Sequence, residues 1–424
     1  MKKMVLAVCC CAALLGGCGD RYEAKSGLTP YKEEIFAMDT FMDITAYGDH
    51  ASTAVEAASA EIQRLDELLS VTGESGDVYQ LNQLGQRQVE ADTLAVISRA
   101  AEVSKETDGL FDCTITPVMK LWGFRDGNFH VPTSEELAEQ LAKVDGSKVH
   151  MEGNTVTLLD GVTVDLGAIA KGYTSQRIME IYQENGVTSG IVSLGGNVQT
   201  LGRKPDGSLW RVALEDPRNP EDYFGILDVE NKAVITSGGY QRNFTENGRV
   251  YHHIIDPRTG YPAENGFISV TIVSEDGTLA DALSTSLFIM GPEKAEAFWK
   301  EHKDLFDAVM MTDDGKILMT KGLRDMYTPQ TADPITQTGD PISQTGAPIS
   351  QTGDPISHIG DPISHIGDPI SQTGDPISHI GAPISHIGAP ISHIGDPITQ
   401  TGNPIPQSGD PISTLRPPYP RLQT

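Results

Sequence analysis

Apolar residues recur at helical spacing after Ser52, where Val55, Ala58, Ile62, Leu65 and Leu69 share one face, so the chain predicts a helix there with Ser52 as its N-cap. A second helix is expected from Thr93 to Glu106, ending near Gly109. The pattern then shortens to alternation. Val149–Met151, Val156–Leu158 and Val162-Val164-Leu166, separated by turns at Gly153-Asn154 and Asp160-Gly161, read as a three-strand meander with Asp165 at its end. A helix from Ala168 to about Glu184 and a strand over Gly190–Leu194, running into Gly195-Gly196-Asn197, follow. Farther on come a strand at Ile268–Val273, a loop at Glu275-Asp276-Gly277 and a buried helix over Leu279–Ile289 closed by Gly291-Pro292. A last hairpin joins Ala308–Met311 to Lys316–Met319. Strands and helices neither alternate strictly nor segregate. The expected class is α+β, with mixed sheets partly covered by helices in one large domain of two intimate halves.

Both ends of the chain break this pattern. Lys2 and Lys3 precede an apolar run from Met4 to Leu15 that is too short to span a bilayer, and Leu15-Gly16-Gly17-Cys18 resembles a bacterial lipobox. Residues 1–17 therefore read as a lipoprotein signal peptide, Cys18 as the lipidated residue and 18–32 as a tether, with residues 33–328 forming the domain. At the other end, 333–409 holds eleven copies of a heptapeptide, Asp/Ala-Pro-Ile-Ser-His/Gln-Ile/Thr-Gly. Pro and Gly in every repeat forbid a coiled coil, and so few apolar residues build no core, so 329–424 is expected to be a disordered tail.

Charge narrows the class of partner. The formal net charge is −27; eight Asp and two Arg lie from Asp333 onward, leaving about −21 for the rest, which argues against nucleic acid as a partner. Cys9, Cys10 and Cys11 leave with the signal and Cys18 is taken by lipid, so Cys113 stands alone and no disulfide framework is expected. His252 and His253 are neighbours that point apart on a strand, which excludes a Cys/His zinc site built on them.

Four stretches combine polar residues with glycine where a core would not want them. In Asp165-Leu166-Gly167-Ala168-Ile169-Ala170-Lys171-Gly172 an acid ends a strand and Lys171 lies one turn into a helix, an arrangement that suits an anion or merely a β-turn-α corner. Asp281 and Thr285, at i and i+4 on an apolar helix with Ser284 beside them, suit a hard cation; the plainer reading is a hydroxyl bonded back to its own helix. Tyr251 to Gly260 places His253, a candidate acid or base, before a turn braced by Asp256 and Arg258. Thr236-Ser237-Gly238-Gly239-Tyr240 and Ser193-Leu194-Gly195-Gly196-Asn197 supply glycine pairs where backbone can approach a ligand.

In this order and spacing, together with Met38-Asp39-Thr40 and Leu110-Phe111-Asp112-x-Thr-x-x-Pro117, these pieces resemble the FAD:protein FMN transferases, the ApbE-type flavin transferases, from about Met38 to Leu318. The resemblance implies an enzyme that takes FAD as substrate and uses Mg²⁺ to move FMN onto a threonine or serine of an acceptor protein, releasing AMP. It implies Mg²⁺ on the Ala168 carbonyl, Asp281 and Thr285, with Ser284 nearby. It further implies flavin and phosphate contacts from Met38, Leu110, Phe111, Asp112, Asp165, Lys171 and His253, with His253 and Asp281 as catalytic groups. The family often carries glycine where this chain has Asp39. The acceptor would be a subunit of a membrane electron-transport complex in the cell envelope. The enzyme would be lipid-anchored and face the periplasm or the outside, with the inner membrane favoured over the outer. Two alternatives stay open on sequence alone: a Mg²⁺-dependent FAD pyrophosphatase and a lipid-anchored FAD-binding protein without catalysis.

Overall fold

The computed structural model describes residues 29–330, together with two short strands from the repeats, Ile335–Gln337 and Ser357–Ile359. The expected signal peptide, Cys18 and nearly all of the heptapeptide tail lie outside the described residues. The chain opens with a hairpin of β1 (Pro30–Ala37) and β2 (Thr40–Tyr47), followed by α1 (Ala51–Leu69), α2 (Asp77–Leu84), β3 (Gln86–Gln88) and α3 (Ala91–Glu106). Next come α4 (Thr116–Leu121), α5 (Ser134–Leu141), β4 (Val149–Glu152), β5 (Thr155–Leu158), α6 (Ala170–Glu184), β6 (Ser189–Leu194) and β7 (Asn197–Leu201). The second half holds β8 (Trp210–Asp216), β9 (Asn219–Val229), β10 (Ala233–Gly238), β11 (Asn243–Glu246), β12 (Arg249–His252) and β13 (Phe267–Ser274). It closes with α7 (Gly277–Met290), α8 (Pro292–His302), β14 (Asp307–Thr312), β15 (Ile317–Met319) and β16 (Tyr327–Pro329).

One large sheet runs β1-β2-β6-β7-β10-β13-β14-β15, antiparallel throughout, with Ile335–Gln337 added in parallel at its β15 edge. Strand alternation divides its side chains between two cores. Ile235, Val270, Ile272, Ala308 and Met310 face α3 and α7, whereas Val234, Val273, Val309 and Met311 face a second sheet of β16-β9-β8. Helices therefore cover one face and a sheet the other, and α1 with α6 closes the β1-β2-β6 end. The class is α+β, as the pattern predicts.

The helices reproduce the sequence pattern with shifted ends. In α1, Val55, Ala58, Ile62, Leu65 and Leu69 are buried, but the helix begins at Ala51 after His50 and no side chain caps it, so Ser52 is a helical residue. Helix α6 begins at Ala170, not Ala168. Helix α7 is apolar nearly all round and correspondingly buried, and Asp276, read as loop, caps it by accepting the Leu279 amide at 2.8 Å.

The expected third strand of the meander does not form. Val162 to Leu166 is irregular, and the partner of β5 across the small sheet is β3. The reason lies in Asn82, whose side-chain amide donates to the Val164 carbonyl at 2.8 Å and accepts the Val164 amide at 2.7 Å, doing for one residue what a neighbouring strand would do. Asp165 then donates its amide to the Cys113 carbonyl at 2.7 Å, which anchors the next corner of the chain.

Candidate active site

The site is assembled where the first turn of α6 meets α7. Gly172 lies so close to α7 that a Cβ there would sit 2.2 Å from the Gly277 carbonyl oxygen and 2.5 Å from Asp281 Cβ, so only glycine fits. That approach lets the Gly172 amide donate to Asp281 Oδ2 at 2.8 Å. Asp281 is 4% exposed. Burial raises its pKa, while the Lys171 ammonium, the Gly172 amide and the Asn197 side chain act in the opposite direction. A carboxylate for which burial outweighs the groups that favour its charge is incompletely compensated, and that deficit suits a hard cation.

Hydroxyls line the next turn. Ser284 Oγ donates to the Asp281 carbonyl at 2.8 Å, so in its 2.8 Å contact with Ser237 it must accept. Ser237 has then spent its proton, and Thr285, 3.2 Å away, is the donor to it. This chain ties β10 to α7 and orients the Thr285 oxygen. Ala168, on the turn before α6, is exposed. Among the described residues no group of three His, Cys, Asp or Glu side chains could hold a metal, so any cation here rests on one carboxylate with hydroxyl and carbonyl oxygens.

His253 follows β12. Its amide donates to the Arg242 carbonyl at 3.1 Å and its Nδ1 lies 3.2 Å from the same oxygen. A carbonyl only accepts, so Nδ1 carries the proton and Nε2 presents a lone pair. Packed protein around the ring pushes its pKa down to about 3, with the Arg242 charge adding to the effect. The imidazole is neutral at neutral pH. His252 turns the other way, its Nε2 3.2 Å from the Ala263 carbonyl and its ring edge-on to Phe288, as neighbours on a strand should. Asp256 braces the following turn by accepting from the Arg258 amide and guanidinium.

Not every expected residue presents its side chain. Leu110 and Phe111 are buried in the main core, which leaves only their backbone for a ligand. The Asp112 carboxylate accepts from Thr114 and from the Gly146 amide, so it clamps two loops together. Met38 is half-buried, with its amide donating to Asp66 at 2.9 Å. It shares a tight turn with Asp39 at φ of +49° and +60°, a left-handed pair that Asp tolerates, so the departure from glycine leaves the hairpin intact. The Gly238-Gly239 pair makes room for the protein itself: a Cβ on Gly239 would meet the His252 ring, and one on Gly238 the Tyr240 ring.

Residues 38–310 match the ApbE family. The chain belongs to the ApbE family. It is 32% identical over 275 residues to a protein of Klebsiella pneumoniae named FAD:protein FMN transferase, covering 63% of this chain and 85% of that one. A Treponema pallidum protein of the same name is 30% identical over 340 residues, covering 74% and 92%. The crystal structure of an ApbE protein from Thermotoga maritima superposes with a TM-score of 0.67 at 32% identity, covering 70% of this chain and 99% of that one. The flavin transferase ApbE from Vibrio cholerae gives 0.64 at 27%, covering 71% and 100%.

Two residues of this ApbE site have no counterpart in the sequence reading. Arg125 pairs with Asp165, and Arg242 reaches the Phe124 carbonyl at 2.7 Å. Arginines in a polar turn and at the head of a strand carry no local signal of burial or function, and only the fold brings them to Asp165 and His253.

Proposed function

We propose that this chain transfers the FMN half of FAD to a threonine or serine hydroxyl of an acceptor protein and releases AMP, with Mg²⁺ as the metal. Flavin transfer as the type of reaction follows from membership of the ApbE family, whose relatives carry that name. The observation that carries the finer reading is the buried Asp281 carboxylate, held by the Gly172 amide beside Lys171. The Ala168 carbonyl, Asp281 and Thr285, with Ser284 beside them, would hold Mg²⁺, which when bound supplies neutralisation of pyrophosphate charge.

The protein's own groups account for the remaining needs of the reaction. The acceptor oxygen attacks the FMN phosphorus, the bond from that phosphorus to the bridging oxygen breaks, and AMP leaves with the bridging oxygen. The hydroxyl proton needs a base, and Nε2 of the neutral His253, whose Nδ1–H is held by the Arg242 carbonyl, has the free lone pair. Lys171, without a salt bridge to a carboxylate among the described residues and near enough to act on both His253 and Asp281, would offset phosphate charge. Met38, the backbone of Leu110 to Asp112 and the Asp165 corner would border the flavin.

The reading extends to location. Cys18 as a lipidated residue would tether the enzyme to a membrane of the cell envelope, close to acceptor subunits of an electron-transport complex. Among the described residues no helix is long and apolar enough to cross a membrane. The test is one incubation of the purified protein with FAD, Mg²⁺ and a candidate acceptor, followed by mass spectrometry. An acceptor heavier by FMN is expected. Free FMN with AMP and an unmodified acceptor would make the enzyme a pyrophosphatase, and intact FAD would overturn both.

A further inference from the structure

Two guanidiniums meet beside the corner of Asp165 and Gly167 that leads into α6. Arg242 Nη2 donates to the Phe124 carbonyl at 2.7 Å, which fixes its head beside the next residue, Arg125. Arg242 is exposed and has no carboxylate partner among the described residues. Arg125 pairs with Asp165, its Nε is buried without a hydrogen-bond partner, and its Nη2 lies 3.6 Å from where a Cβ of Gly167 would be. Burial, with the Arg242 charge adding to it and nearby Asp39 partly opposing both, lowers the Arg125 pKa to about 10. Like charges held together, with donors unspent and solvent access on one side, form a receptor for an anion.

We propose that Arg242 and Arg125 seat the adenylate phosphate of FAD, the group that departs when the pyrophosphate breaks. The proposal rests on the reading of the reaction given above. A pyrophosphate has two phosphorus centres, and the site has two sets of cationic groups. Lys171 of α6 acts on Asp281 of α7, whereas the two arginines gather at the Phe124 carbonyl and the Asp165 corner that precedes α6. When the bridging oxygen leaves with AMP, the adenylate phosphate gains a negative charge. Guanidiniums already aimed there stabilise that charge as it develops and need no rearrangement. The side chain of Arg242 is separable from its backbone role, because His253 is held by the Arg242 main-chain carbonyl.

The experiment is calorimetric titration of the full chain with AMP and, separately, with FMN, for wild type, Arg242→Gln and Arg242→Lys, with FAD turnover measured alongside. Arg242→Gln is expected to weaken AMP by about tenfold or more and to leave FMN within about twofold, while Arg242→Lys recovers part of the loss. KM for FAD should rise in the same order. Unchanged AMP affinity in Arg242→Gln, an equal loss for FMN, or no AMP binding by wild type would each overturn the assignment. Arg125→Lys, which keeps a charge for Asp165, provides a second variant whose AMP affinity should also fall. A wild type that binds AMP through Arg242 yet leaves FAD intact would overturn the reaction and spare the seat. A wild type that cleaves FAD with AMP affinity indifferent to Arg242 would do the reverse.

Discussion

The amide of Gly172 donates to Asp281 Oδ2 at 2.8 Å across 109 residues of sequence, so the turn that carries Lys171 and the helix that carries the buried carboxylate are one unit. Gly172→Ala forces a methyl group into the Gly277 carbonyl and the Asp281 side chain. The expected loss is about 1–3 kcal/mol of stability, read as a lower melting temperature, together with loss of FAD cleavage. A variant that melts and turns over like wild type would show that the helices do not depend on this contact.

Asp281→Asn separates charge from shape. The amide oxygen still accepts from Gly172, and removing a buried charge leaves stability equal or higher. Metal-dependent cleavage of FAD should nevertheless fall by about 100-fold or more, without recovery at high Mg²⁺. Retained turnover would remove the carboxylate from the proposed metal site.

His253 gives stability a pH dependence of known sign. Its folded pKa, about 3, lies below the ordinary 6.5, so between these values the unfolded chain takes up a proton that the folded chain refuses. Stability contributed by this residue is complete above about pH 6.5 and declines as pH falls toward 3. Urea midpoints at pH 7 and pH 5 should differ less in His253→Gln than in wild type. An equal difference in both proteins would count against a ring kept neutral in the folded chain.

Asn82→Ala tests the irregular segment ahead of the site. Losing the side-chain amide leaves the Val164 amide and carbonyl without partners, which costs on the order of 2 kcal/mol or more. The Asp165 corner should loosen as well, seen as a higher KM for FAD. Wild-type stability would mean that water replaces Asn82 at no cost.

Much of the scaffold is legible in the chain because apolar periodicity is a local property. The buried stripe of α1, the apolar α7 and the mostly buried run of β13 each follow from their own residues. The same locality explains the failures. Val162 to Leu166 alternates like a strand, but a strand needs a neighbour's ladder, and Asn82 occupies that position first. Ser52 has a cap's chemistry, but the turn at Gly48 lets the helix start before it, with the Ala51 amide donating to the Gly48 carbonyl.

For the site, the sequence by itself determined which residue types were out of place: Asp281 within an apolar helix, Lys171 after a glycine turn, His253 ahead of a Pro-Arg-Thr-Gly turn. Such misfits show in one dimension because burying a charge is costly wherever it occurs. Only the tertiary structure decided their partners. That Gly172 holds Asp281, that the Arg242 carbonyl sets the His253 tautomer and that Arg125 meets Asp165 depend on contacts of a few ångströms between segments far apart in sequence. Hydrogen bonds and ion pairs act over such distances alone, and a linear pattern holds no record of which distant segments the packed core brings together.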